Sequence, residues 1–432
     1  MNTPRRRLAR LLASVEMARA YTLCALLAMF GSFAITSFTS TVTLTTIVAV
    51  LCLIGAAILY ARRDELSPLR IVPSTVLAFV AWTFASVFWS TSMQPSLRAW
   101  SALAGFALIA VVIGHVRDTL QTVRALGDVL RILLSASLIA EIMSGILLDM
   151  PFPFLAIQGN LAHGGPIQGL FGTRNMLGFI AVVALITFVV EWRSQSLAAA
   201  VAIPSIGLAG FLALFSASPT VLVLAVVVGV ASVALVMVRQ APPRRRPALQ
   251  WSISVVVVAA LVAAYVLRQR IIAVLDAGSD FDMRVQLWRV MFEYTQQRPV
   301  QGWGWFGYWD RDAYPYNSIN YFTNGAHGSA LNAFFDALLQ VGGGGMLLFV
   351  LLGGIALVRS WLVASVRRSV VYAWTPLILT TLAVDSLFES FTLTGAGWFL
   401  LVLCALRAGQ SRSWRENIDA AQTGSMPTLP GR

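Results

Sequence analysis

The chain has 432 residues, of which 58% are hydrophobic and only 12% charged, and its mean hydropathy is +0.76. Soluble domains carry roughly a quarter charged residues, so this composition excludes a water-soluble globule and predicts an integral membrane protein. The net charge of +12 comes from arginine alone, since the chain has no lysine. These arginines cluster between apolar runs, which favours a role in topology and argues against nucleic-acid binding.

Windows of about twenty apolar residues predict an all-α, polytopic fold with about twelve transmembrane spans. An even number of spans places both termini on one side of the membrane. Arginines in the short loops of that side, such as Arg62, Arg117, Arg193 and Arg239, indicate that it is the cytoplasm. The predicted spans are 21–38, 43–61, 72–90, 97–115, 131–149, 176–192, 197–215, 219–238, 251–268, 330–358, 370–388 and 391–408.

This topology divides the chain into five parts. They are a basic cytoplasmic tail (1–20), nine spans (21–268), one long extracytoplasmic loop (269–329), three spans (330–408) and a disordered cytoplasmic tail (409–432). Together with Arg268 directly before it, the long loop holds six arginines against the positive-inside trend, so we expect an anionic partner for it. A shorter external segment, 151–175, adds His163 and Arg174.

The long loop opens on an amphipathic helix, "DMRVQLWRVMFEYTQQ", which Pro299 ends and "GWGWFG" follows as a turn. In one interpretation this helix lies in the membrane interface with its arginines among the lipid head groups. In the other, Arg284 points into the protein toward an anion, because a guanidinium offers a planar fork of donors that matches phosphate oxygens. The spacing alone does not decide between them.

His327 is one of three histidines and stands before span 330–358, among Gly325, Ala326, Gly328 and Ser329. A lone histidine at a helix start is commonly structural. This one lies on the outer side with small neighbours that leave room for a substrate, and an imidazole can take a proton from a hydroxyl.

Carboxylates inside the spans form a second candidate group. Asp385 and Glu389 are four residues apart, so they are expected to share a helix face near the outer end of their span. Their expected partners are the external arginines, and their role is either structural or chemical. Glu141 and Asp336 are weaker cases of the same kind.

The run "VGGGG" (341–345) lacks the lysine and hydroxyl residue of a phosphate-binding loop, so we expect close helix packing or a break in the helix there. The cysteines Cys24, Cys52 and Cys404 have neither metal-site nor disulfide spacing and are interpreted as small apolar residues. We therefore predict no metal site and no cofactor.

The order of these motifs resembles the O-antigen ligase and polymerase superfamily of bacterial membrane glycosyltransferases. The resemblance covers roughly residues 165 to 400 and rests on "RVQLW" (284–288), "RPVQGWGWFGYW", "AHGSALNAFFDALLQVGGGG", "GLFGTRNMLGF" (169–179), "LFSASPTVLVL" and "DSLFESF". It implies a GT-C-like membrane enzyme of the bacterial cytoplasmic membrane with its active site on the outer face. It also implies no metal, and we expect a monomer.

Such enzymes transfer a glycan from an undecaprenyl-diphosphate carrier to a hydroxyl of a glycan or glycolipid acceptor. Carried over onto this chain, the resemblance makes His327 the general base in a one-step, inverting displacement. It assigns Arg284 to the diphosphate, and we add Arg174 and Arg289 to that group. The predicted supporting residues around the acceptor pocket are Asn175, Asn332, Asp385, Glu389, Trp288 and Trp303.

Two positions depart from the family pattern. Asn commonly follows the histidine, whereas here Gly328 follows it and Asn332 comes five residues after it. The serine-rich element usually carries a basic residue where this chain has Pro219. We hypothesise that Arg174 supplies the missing charge, and an active Arg174→Ala protein would contradict this.

Two other functions stay open. A polymerase would use a second lipid-linked repeat unit as its acceptor in place of a glycoconjugate. A transporter or flippase for lipid-linked glycans would bind without chemistry, and it would suit twelve spans with interior carboxylates. Against the transporter, the polar residues concentrate in one outer loop, and the two halves show no convincing repeat.

Overall fold

A computed structural model describes residues 11–63, 71–267, 269–270 and 278–422, and helices dominate this part of the chain. About 78% is helical and the described residues contain no strand. The all-α prediction is therefore confirmed. The helices before the long loop are α1 (Val15–Phe30), α2 (Ser32–Phe38), α3 (Thr41–Ala61), α4 (Ser74–Ser86), α5 (Met93–Val116), α6 (Thr119–Ile142), α7 (Arg174–Arg193), α8 (Ala199–Phe215), α9 (Pro219–Gln240) and α10 (Arg246–Val266).

Within residues 278–422, two α-helices lie in the long loop and three in the last part of the chain. They are α11 (Gly278–Gln297), α12 (Tyr316–Phe322), α13 (Ala333–Val366), α14 (Val371–Asp385) and α15 (Gly395–Gln422). The amphipathic helix predicted ahead of Pro299 is α11, which ends two residues before that proline.

The apolar helices make this a multi-pass membrane protein. Among the described residues, α3, α5, α6, α7, α9 and α13 are long and apolar enough to cross a bilayer, and the pair α1 and α2 adds a seventh if its 72° bend is one broken span. Five shorter apolar helices overlap the other predicted spans. That all twelve segments cross the membrane, with both termini in the cytoplasm, remains a prediction.

The bundle is built around α7. In this helix 72% of the apolar window is buried inside the protein, against 22% for α3 and for α9. A spanning helix with few buried residues exposes its side chains to lipid, whereas α7 is enclosed by protein. The segment that resembles the family's Asn element, at the start of α7, is thereby held at the centre of the bundle.

The long loop has a small apolar core of its own. Leu287 and Met291 of α11 are fully buried against Trp303, Trp309 and further side chains of the segment between α11 and α13. The remaining members of this core are Phe306, Ala313, Tyr316, Ile319, Ala330 and Leu339. Because Leu339 belongs to α13, the loop packs onto the membrane helices and is positioned by them.

The glycine run breaks α13, as the sequence predicts. Gly342 has φ 67° and ψ −174°, a conformation that only glycine adopts without strain. The turn after α11 fits into this break, where Gly343 donates a hydrogen bond to the Pro299 carbonyl at 2.8 Å and Gly304 donates to the Gln340 carbonyl at 2.8 Å. The indole of Trp82 donates to the Val341 carbonyl at 2.9 Å. Backbone groups freed by the break are thus satisfied within the protein, as a membrane environment requires.

Two boundaries differ from the sequence prediction. Helix α14 ends at Asp385, so Glu389 lies in the turn after the helix, although its backbone nitrogen still donates to the Asp385 carbonyl at 2.8 Å. At the C-terminus, α15 continues to Gln422 through part of the predicted disordered tail 409–432. That stretch contains good helix formers and no proline, so nothing stops the helix. The last ten residues, and residues 1–10 of the predicted N-terminal tail, lie outside the described residues.

Candidate active site

Two side chains of α11 fix its position relative to the segment that carries His327. Arg284 and Trp288 are four residues apart and therefore lie on the same side of the helix. The Trp288 indole donates to the Ala330 carbonyl at 2.8 Å, and Arg284 Nη1 donates to the next carbonyl, Leu331, at 2.8 Å. The Arg-x3-Trp spacing is thus explained by two adjacent carbonyls, four and three residues downstream of His327.

Arg284 points into the protein, which decides between the two interpretations of its helix. Its side chain is 14% exposed and forms a salt bridge with Glu389, Nη2 to Oε1, at 3.1 Å. Nη1 also donates to the Phe388 carbonyl. The arginine partner expected for the late carboxylates is therefore Arg284, which pairs with Glu389. Three N–H groups of a guanidinium that has five are used within the protein.

Glu389 also connects this arginine to two helices far away in the sequence. Asn175 Nδ2, at the start of α7, donates to Glu389 Oε1 at 2.6 Å. Ser218 Oγ, just before α9, donates to Asn175 Oδ1 at 2.7 Å. We call Arg284, Glu389, Asn175 and Ser218 the four-residue network. It joins four segments that the sequence suggested separately, and its members are 43 to 214 residues apart.

Arg174 lies beside this network. It is the first residue of α7 and partly buried, directly before Asn175. Since Asn175 bonds Ser218, the residue before Pro219, the structure brings positions 174 and 219 close together.

His327 is held by its backbone, and its ring is partly buried. Asn320 of α12 clamps it twice, since Oδ1 accepts from the His327 nitrogen at 2.7 Å and Nδ2 donates to the His327 carbonyl at 3.1 Å. The next residue, Gly328, accepts from the Trp309 nitrogen at 2.8 Å. Burial lowers the pKa of the imidazole below its ordinary value, because the charged form loses hydration. The ring is then neutral at neutral pH and able to accept a proton.

The ring of His327 lies directly over Gly325. A Cβ built at position 325 would collide with Nε2 and Cδ2 of the imidazole, whereas one built at Gly328 would meet nothing within 4 Å. From the sequence, the small residues around His327 were all expected to leave room for a substrate. In the structure, the two glycines have different roles. Gly325 makes room for the ring itself, and Gly328 borders open space.

Asn332 and Trp303 have structural positions. The Asn332 side chain caps α13 by accepting from Phe334 and Phe335 and donates to the Leu387 carbonyl at 2.9 Å. Trp303 is 5% exposed in the core of the loop and donates to the Tyr294 carbonyl at 3.1 Å. Neither is among the residues that the network brings together.

The remaining predicted residues are separated from the network to different degrees. Arg289 is exposed, and because five residues of helix turn it away from Arg284, it lies on a different side of α11. Asp385 is 1% exposed at the end of α14, and its Oδ2 has no hydrogen-bond partner. The structure thus buries Asp385 at the end of α14, four residues before Glu389.

The interior carboxylates Glu141 and Asp336 anchor loops. Glu141 Oε1 accepts from the backbone nitrogens of Gln168 and Gly169, both at 2.8 Å, shortly before Arg174. Asp336 Oδ1 accepts from the Trp309 indole at 2.7 Å and from Gln340 at 2.8 Å. Each carboxylate therefore holds an external segment in place from within a membrane helix.

Sequence reasoning missed Asn320 and Ser218. Ser218 lies in the serine-rich element "LFSASPTVLVL", in which only the neighbouring Pro219 was considered. For Asn320 there was no local signal, because its clamp on His327 depends on how α12 folds back. Within the described parts of the chain, no three His, Cys, Asp or Glu residues are grouped as metal ligands.

Helices of this kind, with the long loop docked on them, define a multi-pass membrane protein in which Arg284 of the four-residue network bonds the segment that follows His327. Residues 204–350 match the family model described as O-antigen ligase. For residues 204–350, this match confirms the resemblance to the O-antigen ligase and polymerase superfamily. No curated protein matches the chain.

The matched region includes Ser218, Arg284 and His327 but neither Asn175 nor Glu389. The hydrogen bonds of the network therefore attach two further elements to the matched part of the chain. They extend the site beyond the matched residues.

Proposed function

We propose that this protein is a membrane glycosyltransferase that moves a glycan from an undecaprenyl-diphosphate carrier to an acceptor hydroxyl on the outer face of the membrane. The match of residues 204–350 to the O-antigen ligase model supports ligase or polymerase activity in general. One observation supports the finer proposal: Arg284 of the four-residue network bonds the Leu331 carbonyl, in the short segment that begins with the partly buried, neutral His327.

His327 is proposed as the general base. Its neutral ring takes the proton of the acceptor hydroxyl while that oxygen attacks the anomeric carbon of the donor sugar. The bond from the anomeric carbon to the diphosphate oxygen breaks, and its electron pair leaves with the lipid diphosphate. A single displacement of this type inverts the anomeric configuration.

Arginines are proposed to stabilise the leaving diphosphate, which gains negative charge as the bond breaks. Of the three candidates, Arg174 has the best position, because it stands at the edge of the network beside the Ser218–Pro219 turn. Arg284 is proposed to orient this edge through Glu389 and to direct its remaining donors toward the substrate. Arg289 is exposed, so it would contact the substrate only from the side of α11 that faces away from the protein.

The four polar residues Asn175, Glu389, Asp385 and Asn332 are proposed as support for this arrangement. Trp288 belongs with them because its indole fixes the Ala330 carbonyl. The identity of the acceptor decides whether the proposed enzyme is a ligase or a polymerase. A ligase uses a glycan or glycolipid, and a polymerase uses a second lipid-linked repeat unit.

The test uses lipid-linked glycans that accumulate in a deletion strain as donor and the purified full-length protein. We expect His327→Ala to bind the donor but to form product about a hundredfold to ten-thousandfold more slowly, since this is the usual contribution of a general base. The control is His163→Ala, which changes an exposed histidine in the other external segment and should keep wild-type activity.

Two results would contradict the proposal. Full activity of His327→Ala would remove this residue as the base. Donor movement across the membrane without any product, in the wild-type protein, would favour a transporter. Mass spectrometry of the product, compared with the envelope glycans lost in the deletion strain, identifies the acceptor and so separates ligase from polymerase.

A further inference from the structure

A cavity of about 450 Å³ lies at the end of the bundle opposite the candidate active site. It is formed where α9 and α13 end and α10 begins. Helix α9 has 22 residues, so about 33 Å separate its two ends, which is close to the thickness of the hydrocarbon core. Since Ser218 stands just before α9, the network and the cavity lie near opposite surfaces of the membrane, and the cavity is on the side predicted to be cytoplasmic.

The lining of this cavity is strongly basic. It includes Arg239, Arg246, Arg367 and Arg368, and none of its lining residues is acidic. The surrounding sequence agrees, since there is no Asp or Glu from residue 192 to 275 or from 337 to 384. The positive charges of four arginines around one cavity repel each other. An anion in the cavity reduces this repulsion and can accept hydrogen bonds from the guanidinium groups.

The walls of the cavity are held in place by the protein itself. Arg239 donates to the carbonyls of Arg367 and Ser369 at 2.6 and 2.5 Å, at the C-terminal end of α13. Arg246 Nε donates to the Ala241 carbonyl at 3.0 Å and thereby fixes the turn between α9 and α10. Arg239 and Arg246 therefore do not need to be ordered by the ligand, which lowers the entropic cost of binding.

An exposed apolar stripe on α9 leads to this cavity. Leu222, Val226, Val230, Val233 and Val236 follow each other at helical spacing and are 49% to 64% exposed. Val236 also lines the cavity. A ligand that fits both features has a phosphate group for the arginines and hydrocarbon chains for the stripe.

We propose that this cavity binds the phosphate head group of an anionic phospholipid from the leaflet opposite the active site, with the acyl chains along the exposed stripe of α9. Inorganic phosphate offers the same charged group without the chains. The two sources are therefore separated by experiment.

The test measures thermal unfolding of the purified full-length protein in neutral detergent, by tryptophan fluorescence. Phosphatidylglycerol at about a hundred times its dissociation constant should raise the midpoint by about 3 °C, because it binds only the folded state. Phosphatidylcholine and inorganic phosphate should not. The double variant Arg367→Gln/Arg368→Gln should lose the increase, and the control Arg193→Gln, an exposed arginine away from the cavity, should keep it.

An equal increase with phosphatidylcholine, or retention of the increase in the double variant, would overturn the proposal. An equal increase with inorganic phosphate would identify a soluble anion and overturn the lipid assignment. If the double variant does not fold, the wild-type protein decides through a phosphatidylglycerol analogue with a photoreactive head group. The labelled peptides should contain residues 236–246 or 365–368, and labelling elsewhere would overturn the site.

Discussion

At the residue scale, the position of the His327 ring depends on Gly325, because the imidazole occupies the space that a side chain at position 325 would need. The two residues therefore act as one feature. The glycine allows the ring to lie close to the backbone, and Asn320 sets where that backbone runs.

Replacing this glycine should disturb the ring while leaving the fold intact. We expect Gly325→Ala to lower kcat by about tenfold to a hundredfold, since misplacing a catalytic group by about 1 Å has this effect. The matched control is Gly328→Ala, three residues away, where a methyl group meets nothing within 4 Å. Steady-state kinetics of both proteins checks the prediction, and equal loss in both would contradict it.

The partial burial of His327 predicts a pH dependence. Burial lowers its pKa, so the neutral, proton-accepting ring persists to a lower pH than for an exposed histidine. We expect kcat/KM to rise with pH on the acid side through a pKa below the usual histidine value of about 6.5, and then to level off.

A pH profile of kcat/KM in the wild-type protein measures this pKa, because that ratio reports the free enzyme. The Gly328→Ala protein should give the same acid limb. An apparent pKa above the ordinary histidine value would show that a nearby anion holds the ring in its charged form, which is contrary to the structure.

At the element scale, apolar runs and charge clusters predicted where most of the described membrane helices lie. The length of α7 and the end of α11 before Pro299 follow from hydropathy and proline alone. The partners across the site did not follow, because a hydrogen bond such as Asn175 to Glu389 joins residues 214 positions apart. Helix periodicity carries information over a few turns and none about which helices meet.

Asp385 and Glu389 illustrate the same limit. Their place in a span led to the expectation of an arginine partner, and Arg284 is that partner for Glu389. The four-residue spacing did not predict that the helix ends at Asp385, so that Glu389 lies in the turn after it. Helix ends depend on packing that a single sequence does not show.

The break in α13 should be sensitive to one methyl group. At Gly342 a Cβ would collide with the Val300 carbonyl, and the backbone conformation is one that other residues adopt only with strain. We expect Gly342→Ala to destabilise the fold by about 3 kcal/mol or more, from strain together with the collision.

Gly353→Ala is the matched control in the same helix, because a Cβ there meets nothing within 4 Å. In a regular helix alanine is favoured over glycine by about 0.5–1 kcal/mol, so this variant should be at least as stable as wild type. Thermal unfolding in detergent compares the two. A Gly342→Ala protein as stable as the control would show that the turn at 299–304 does not need the break.

At the scale of the whole molecule, the candidate active site and the basic cavity lie at opposite ends of α9. The network is reached through Ser218 just before this helix, and the cavity is lined by Arg239 near its last residue. The predicted topology then assigns the glycan chemistry to the outer face and the arginines to the cytoplasmic face.

This topology is tested with single cysteines in a protein whose Cys24, Cys52 and Cys404 are replaced by alanine. Asp312→Cys lies in the long loop and Pro243→Cys in the turn after α9, and both positions are exposed. A membrane-impermeant maleimide added to intact cells should label Asp312→Cys, while Pro243→Cys should react only after permeabilisation. The opposite pattern would place the candidate site in the cytoplasm.

The turn inserted into the break of α13 also limits how this chain can be recombined with its relatives. Its backbone at Pro299, Val300 and Gly304 is satisfied only by a helix that opens at Gly342. A donor loop grafted between α10 and α13 would lack these partners unless the glycine run of its own parent came with it. The exchangeable unit is therefore the loop together with the first part of α13, and the natural crossover point lies inside a membrane helix.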